Sequence, residues 1–229
     1  MTEPLRIEIA PAESVSALVY PAAAKSAAGI TLMLAHGAGA GQQSPFLVRF
    51  ATGLSARGIE AVTFNFPYIE HGRRVPDPNR KLEACYRAAI AAARNRKKLG
   101  RNTLAIGGKS MGGRIASQVA AAGGDDVAAL VLLAYPLHPP GKPQQLRARH
   151  LTDIRAPMLF VQGSRDAFGS PGELQPILTR LEAPAELHVV DGGDHSFNVP
   201  KRAGIAQEDV YEAVLDRIGR WLRETLVGP

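Results

Sequence analysis

One short stretch restricts the fold more than any other: Leu104-Ala105-Ile106-Gly107-Gly108-Lys109-Ser110-Met111-Gly112-Gly113-Arg114. It begins as an apolar, buried strand and opens into an Ala-rich helical segment, Ile115 to Ala122. Between them stands Gly108-x-Ser110-x-Gly112. A serine lifted onto a sharp strand-to-helix turn is held in a strained backbone conformation. Side chains two residues before and after it would collide as strand and helix close, so glycine is needed at both places. The helix starts directly behind the serine, and its unpaired N–H groups and positive dipole end face any negative charge developing there. This is the pattern of a nucleophile elbow. Gly108-Lys109-Ser110 also imitates the end of a phosphate-binding loop, G-x-x-x-x-G-K-S. That loop needs glycine five residues before Gly108, where Thr103 stands, and apolar Leu104 to Ile106 occupies the place of the flexible turn. A nucleotide site is therefore excluded.

The 229 residues fit a single domain, 1–229, with a sizeable core. Arg6 to Ile9 and Val15 to Tyr20 alternate apolar with polar and read as an antiparallel pair at a sheet edge. After Pro21 comes a loop to Gly29. Ile30 to Ala35, Ile59 to Phe64, Thr103 to Ile106, Val127 to Ala134, Pro157 to Val161 and Glu186 to Val190 read as further strands. Several are continuous apolar runs suited to a sheet covered on both faces. Helices are expected over Pro45 to Arg57, Lys81 to Lys98, Glu173 to Leu181 and Gln207 to Leu226, the last strongly amphipathic. Asn65 to Arg80 and Tyr135 to His150 read as long Pro-containing loops. The pattern predicts an α/β fold, a mostly parallel central sheet flanked by helices. The short Tyr135–His150 insertion leaves little room for a lid, so an open site is expected. In such sheets ligands bind beyond the carboxyl ends of the strands.

A serine hydroxyl needs a base to take its proton, and the base needs an acid to fix its tautomer. Ser110, Asp166 and His195 each follow a strand, in the chain order expected of an α/β-hydrolase. Of six histidines, His188 lies inside a strand, His71 and His138 within loops, His150 at a connector, and His36 before a glycine loop where a structural role is expected. Asp194 adjoins His195 and is poorly placed to reach its far ring nitrogen; Asp191 is the other competitor. The Met111 N–H is the first expected oxyanion donor. The second comes from His36-Gly37-Ala38-Gly39, with Ala38 favoured and Gly39 next. His36, Tyr68, His138 and Arg114 are expected around the substrate pocket. Arg114 would meet either a carboxylate of the substrate or a structural acid.

No H-E-x-x-H and no paired cysteines occur, so neither a metal nor another cofactor is expected. G-x-G-x-x-G from Gly37 fails at Gln42. The lone cysteine, Cys85, reads as core and precludes an internal disulfide. Net charge is +6, yet the basic run Arg94 to Arg101 sits at a helix end without interleaved aromatics. It reads as a solvated terminus rather than a nucleic-acid contact. No long apolar window and no secretory signal is visible. A cytoplasmic chain with no membrane or nucleic-acid partner is expected.

Several blocks occur together: HGAGAG (His36 to Gly41), FNFPY (Phe64 to Tyr68), PDP (Pro76 to Pro78), GGKSMGGR (Gly107 to Arg114), YPLHPPGKP (Tyr135 to Pro143), QGSRDAFG (Gln162 to Gly169) and GGDHSF (Gly192 to Phe197). With them the chain resembles the α/β-hydrolases. More closely, it resembles small bacterial relatives of testis-expressed protein thirty and of subunit three of the NSL acetyltransferase complex, near dienelactone-hydrolase-like esterases. The resemblance implies Ser110, Asp166 and His195 as a triad. Dienelactone hydrolase itself uses a cysteine nucleophile; this chain departs from it with serine. The expected activity is hydrolysis of small carboxylic esters or thioesters through an acyl-enzyme. The alternatives are a non-catalytic interaction protein that keeps the fold, and a peptidase or amidase. Oligomeric state is not read from the sequence.

Overall fold

A computed structural model describes residues 2–23 and 26–228; part of the expected loop after Pro21 lies outside them. The elements follow in chain order. They are β1 (Glu3–Ala10), β2 (Glu13–Tyr20), β3 (Ile30–Ala35), α1 (Pro45–Ala56), β4 (Glu60–Phe64), α2 (Pro67–Glu70) and α3 (Asn79–Arg94). Then come β5 (Thr103–Lys109), α4 (Met111–Ala122), β6 (Ala129–Leu133), β7 (Met158–Gly163), α5 (Pro171–Leu178), β8 (Ala185–Val190) and α6 (Gln207–Leu226). One eight-stranded sheet takes the order β1-β2-β4-β3-β5-β6-β7-β8. β1 and β2 pair antiparallel, β2 joins β4 antiparallel, and every later pairing is parallel. The expected architecture is present.

Strand alternation divides the core between the two faces. In β3, Ile30, Leu32 and Leu34 meet Leu47, Phe50 and Leu54 of α1 and Val214, Leu215, Ile218 and Trp221 of α6. Met33 and Ala35 turn the other way, towards Leu82 and Tyr86 of α3 and Ile115 and Val119 of α4. Cys85 is buried with them. Burial pushes its thiol up to about 12, so it behaves as a small apolar side chain.

Element ends shift from the expectation in several places, and three stretches show a local reason. Residues 65–80 are not a structureless loop: Pro67 opens the short α2, whose first residues are buried. α3 begins at Asn79, directly behind Pro78 at its N-cap, and ends at Arg94 instead of Lys98. Beyond it a single 3-10 turn, Leu99–Arg101, folds Leu99 into the core. The basic run is partly neutralised there: Arg96 pairs with Glu3 and Lys98 with Glu60, while Arg94 donates to the carbonyls of Asp125 and Asp126. β5 runs on through Lys109, because Gly107 and Gly108 stay in the ladder with β3 and β6. No helix among the described residues is long and apolar enough to cross a membrane. No connection among them carries a separate lid domain.

Candidate active site

Ser110 stands alone between β5 and α4, with φ 52° and ψ −117°. Only a strained residue holds that conformation without glycine's freedom, and it persists because its surroundings fix it. The surroundings are visible. A Cβ on Gly108 would meet Ala35 O at 2.4 Å and the Gly112 backbone at 2.8 Å. One on Gly112 would meet Ala35 O at 2.2 Å. The turn is thus wedged against β3 as well as folded on itself. Ser110 N–H donates to Leu133 O of the neighbouring strand at 2.8 Å.

Three strand ends bring their side chains together. Ser110 Oγ lies 2.8 Å from His195 Nε2. His195 Nδ1 lies 2.8 Å from Asp166 Oδ2 and 2.9 Å from Oδ1. The carboxylate can only accept, which assigns the proton to Nδ1 and leaves Nε2 to accept from the serine. Asp194 is turned into its own loop, where Oδ1 accepts the N–H groups of Ser196 and Asn198. Asp191 is exposed. Neither reaches His195.

Two residues missed by sequence reasoning complete the arrangement. Gln162, fully buried at the end of β7, donates from Nε2 to Asp166 Oδ2 at 2.9 Å and to Gly169 O at 2.7 Å. Its Oε1 accepts Tyr135 N–H at 2.8 Å. It ties the acid to two loops. A polar residue closing an otherwise apolar strand, four positions before the aspartate, was the available signal. Phe168 stacks on the His195 ring, with centroids 4.1 Å apart, and its N–H donates to Asp166 Oδ1 at 2.8 Å.

The loop after β3 is held from below. Phe66 N–H donates to His36 Nε2 at 3.0 Å, so His36 donates from Nδ1 to Gly37 O at 2.8 Å. Tyr68 donates its hydroxyl to Ala38 O at 2.8 Å. A planar trans peptide points its N–H opposite to its C=O. Anchoring the carbonyls of Gly37 and Ala38 therefore turns the N–H groups of Ala38 and Gly39 the other way. Met111 is the first residue of α4, where N–H groups lack helical partners.

Of the four residues expected around the pocket, only Arg114 lines a cleft at Ser110. His36 and Tyr68 are fully buried beneath the loop after β3. Burial pushes His36 down to about 4 and Tyr68 up to about 12. His138 is buried, with Nδ1 on Pro139 O and Nε2 3.2 Å from Glu173, and lines neither cleft at Ser110. Those three belong to the supporting structure because each ring nitrogen or hydroxyl is already engaged. Arg114 meets no acid; its guanidinium donates to the amide oxygens of Asn79 at 3.2 Å and Gln118 at 3.5 Å. Among the described residues no cluster of metal-ligating side chains occurs.

Residues 28–223 match the family described as Alpha/beta hydrolase domain. The chain belongs to that family. Its fold is similar to that of a lidless a/b serine hydrolase from Xanthomonas campestris, at TM-score 0.75 and 21% identity over 96% of this chain and 94% of that one. It is also similar to a dienelactone hydrolase from Anabaena variabilis, at TM-score 0.75 and 18% identity over 99% and 98%. An esterase domain from Rhodothermus marinus matches at TM-score 0.72 and 14% identity over 98% of both chains. At these identities the likeness is one of fold. Within this alpha/beta hydrolase the strand ends that carry Ser110, Asp166 and His195 stand side by side, β5, β7 and β8, with only β6 between the first two.

Proposed function

We propose that the chain, acting as one domain over residues 1–229, is a serine hydrolase that cleaves small carboxylic esters or thioesters. The observation that carries this is the unbroken relay from Ser110 Oγ through His195 to Asp166, each step at hydrogen-bond distance. Here Ser110 is the nucleophile. His195 takes its proton as Oγ attacks the scissile carbonyl, and Asp166 holds the imidazole and stabilises its cation. The tetrahedral oxyanion is met by the N–H of Met111 and that of Ala38, with Gly39 next to it. Ala38 is preferred because it borders both clefts at Ser110, whereas Gly39 borders one. Each such donor is worth about 10²–10³ in rate. His195 then returns the proton to the leaving group, and water activated by the same nitrogen releases the acid. The step needs no metal or organic cofactor in this reading.

The motif blocks support placement beside the bacterial relatives of testis-expressed protein thirty. Serine in place of cysteine separates the chain from dienelactone hydrolase chemistry. A single buried cysteine suits a cytoplasmic setting.

A fluorophosphonate probe tests the reading directly. Wild-type protein should be labelled covalently and Ser110→Ala should not. A folded wild type that stays unlabelled and turns over no ester would sink it and turn attention to protein partners. Matched ester and amide substrates then separate an esterase from an amidase, with the ester expected to react faster.

A further inference from the structure

Two clefts meet at Ser110, and each is bordered by a cation that holds no carboxylate in an ion pair. Lys109 instead lies 5.5 Å over the Phe46 ring and feels the Asp166 and Asp194 charges, so the smaller cleft is the less compensated. One, about 250 Å³, runs past Asn79, Met111, Arg114 and Arg147. The other, about 380 Å³, runs past Phe46 and Leu47 and is bordered by Lys109. Ala38, Ser110 and Phe168 belong to both.

Elsewhere the fold pairs cations that are withdrawn from solvent. Arg49, Arg57, Lys81, Arg87, Arg96 and Arg217 each hold a carboxylate. Among the described residues, the unexposed cations without one are Lys109, Arg114, Arg147 and Arg223. Arg223 donates to the carbonyls of Gly219 and Arg57. The other three all stand at Ser110. Taking a cation out of water without a counter-charge is unfavourable, and Lys109 has the Phe46 ring and nearby acids for company, so it is Arg114 and Arg147 that need a reason.

The geometry of the smaller cleft supplies one. Arg114 is held by two neutral amides, and its Nε is buried without a partner. Burial, then the nearby Arg147 charge, holds its pKa below the usual value. Arg147 is fixed through its backbone: its N–H donates to Leu137 O, and its C=O accepts the Tyr135 hydroxyl at 2.6 Å. The one acid lining this cleft, Asp77, accepts from Arg73 through Oδ1 at 2.7 Å, and its Oδ2 is buried without a partner. Asp77 is ion-paired to Arg73 and to neither arginine of the cleft, so Arg114 and Arg147 stand without a carboxylate in contact.

We propose that Arg114 and Arg147 form a carboxylate subsite, so that the substrate is an ester or thioester bearing a free carboxylate a few bonds from the scissile carbonyl. The apolar remainder lies along Phe46 and Leu47. This inference rests on the hydrolase reading above. Guanidinium forks fit a carboxylate, and Asp77 at the same wall disfavours a dianion such as a phosphate ester. The cleft, about 250 Å³, is the smaller of the two at Ser110, which favours a short anionic part. The net charge of +6 steers anions towards the protein.

Two matched pairs test the subsite, one for each side of the scissile bond. The first is 4-nitrophenyl hydrogen glutarate against 4-nitrophenyl glutaramate. The second is the butyryl ester of glycolate against that of glycolamide, followed by proton release. In one pair the carboxylate form should be favoured about tenfold or more in kcat/KM, mainly through KM, and the preference should shrink as salt is raised. Arg114→Gln and Arg147→Gln should each bring the ratio towards one. If Arg114→Gln does not fold, Arg147→Gln and the wild-type salt dependence carry the result. Equal kcat/KM within both pairs, in a protein that labels at Ser110, overturns the subsite and leaves the hydrolase reading intact. No labelling and no turnover of any ester overturns the hydrolase reading and the subsite with it.

Discussion

The loop after β3 and the loop after β8 each place a histidine at the carboxyl end of a parallel strand, and the two rings live in opposite environments. His36 is sealed, with Nδ1 and Nε2 both bound to the backbone of its own neighbourhood. His195 is bound on one side only to a carboxylate, and its other nitrogen faces Ser110 and the clefts. Residue type and strand-end position are shared. What differs is whether the second nitrogen is satisfied by the fold or left for a reacting group. The lesson is that a histidine's role follows from its free nitrogen rather than from its place on the sheet.

The comparison predicts that the two loops fail in different currencies. Replacing Asp166 with Asn should lower kcat by about 10⁴-fold while the protein stays folded, because the amide's N–H donor favours the wrong imidazole tautomer and the carboxylate charge is lost. His195→Ala should do at least as much. Steady-state kinetics beside circular dichroism check this, and an active Asp166→Asn enzyme would remove the acid's assignment.

His36→Ala, by contrast, should cost about 3–5 kcal/mol of stability, since it empties a buried site and strands the Phe66 N–H. Urea unfolding reads it. A stability change below about 1 kcal/mol would mean the ring does not hold the loop.

A pH series sharpens the same contrast. Folded His36 stays neutral down to about 4, while the unfolded ring takes a proton below 6.5. The unfolded state therefore binds more protons in that window. Stability from this group is full above 6.5 and falls as pH drops towards 4, by an amount on the order of 3 kcal/mol. Unfolding at about pH 7 and about pH 5 should show the gap between wild type and His36→Gln narrowing in acid. A gap independent of pH would contradict the buried neutral ring.

The smallest effect concerns Gln162. Gln162→Met keeps the volume but drops the donor to Asp166. It should lower kcat about ten- to a hundredfold with KM little changed, as expected for a misaligned acid. A matching loss in both parameters would point to a general loosening instead.

Much of this was legible in the chain. Periodicity gave the strands because both faces of the sheet are covered and the apolar runs are continuous. G-x-S-x-G with strand before and helix after located the turn, since sterics leave no alternative to glycine. What periodicity could not show is where side chains point across loops. His138 sits on a Pro-containing loop as expected, whereas Tyr68 falls in the short α2; both turn inward and engage neighbouring carbonyls. Gln162 was hidden for the opposite reason: it lies in an apolar strand, where its amide matters only through contacts distant in sequence. α2 was missed because four residues are too few to show a period.

The wedge of Gly108 and Gly112 against β3 has a dynamic consequence. Ser110 is carried by β5 in the middle of the sheet, whereas His195 follows β8, the half-exposed strand at its margin. Local opening is easiest at margins and hardest at centres. The two halves of the relay therefore belong to parts of the molecule that come apart at different free energies. With the proposed relay, rising denaturant should silence hydrolysis while the central strands still protect their amides from exchange, so that activity would gauge the rim.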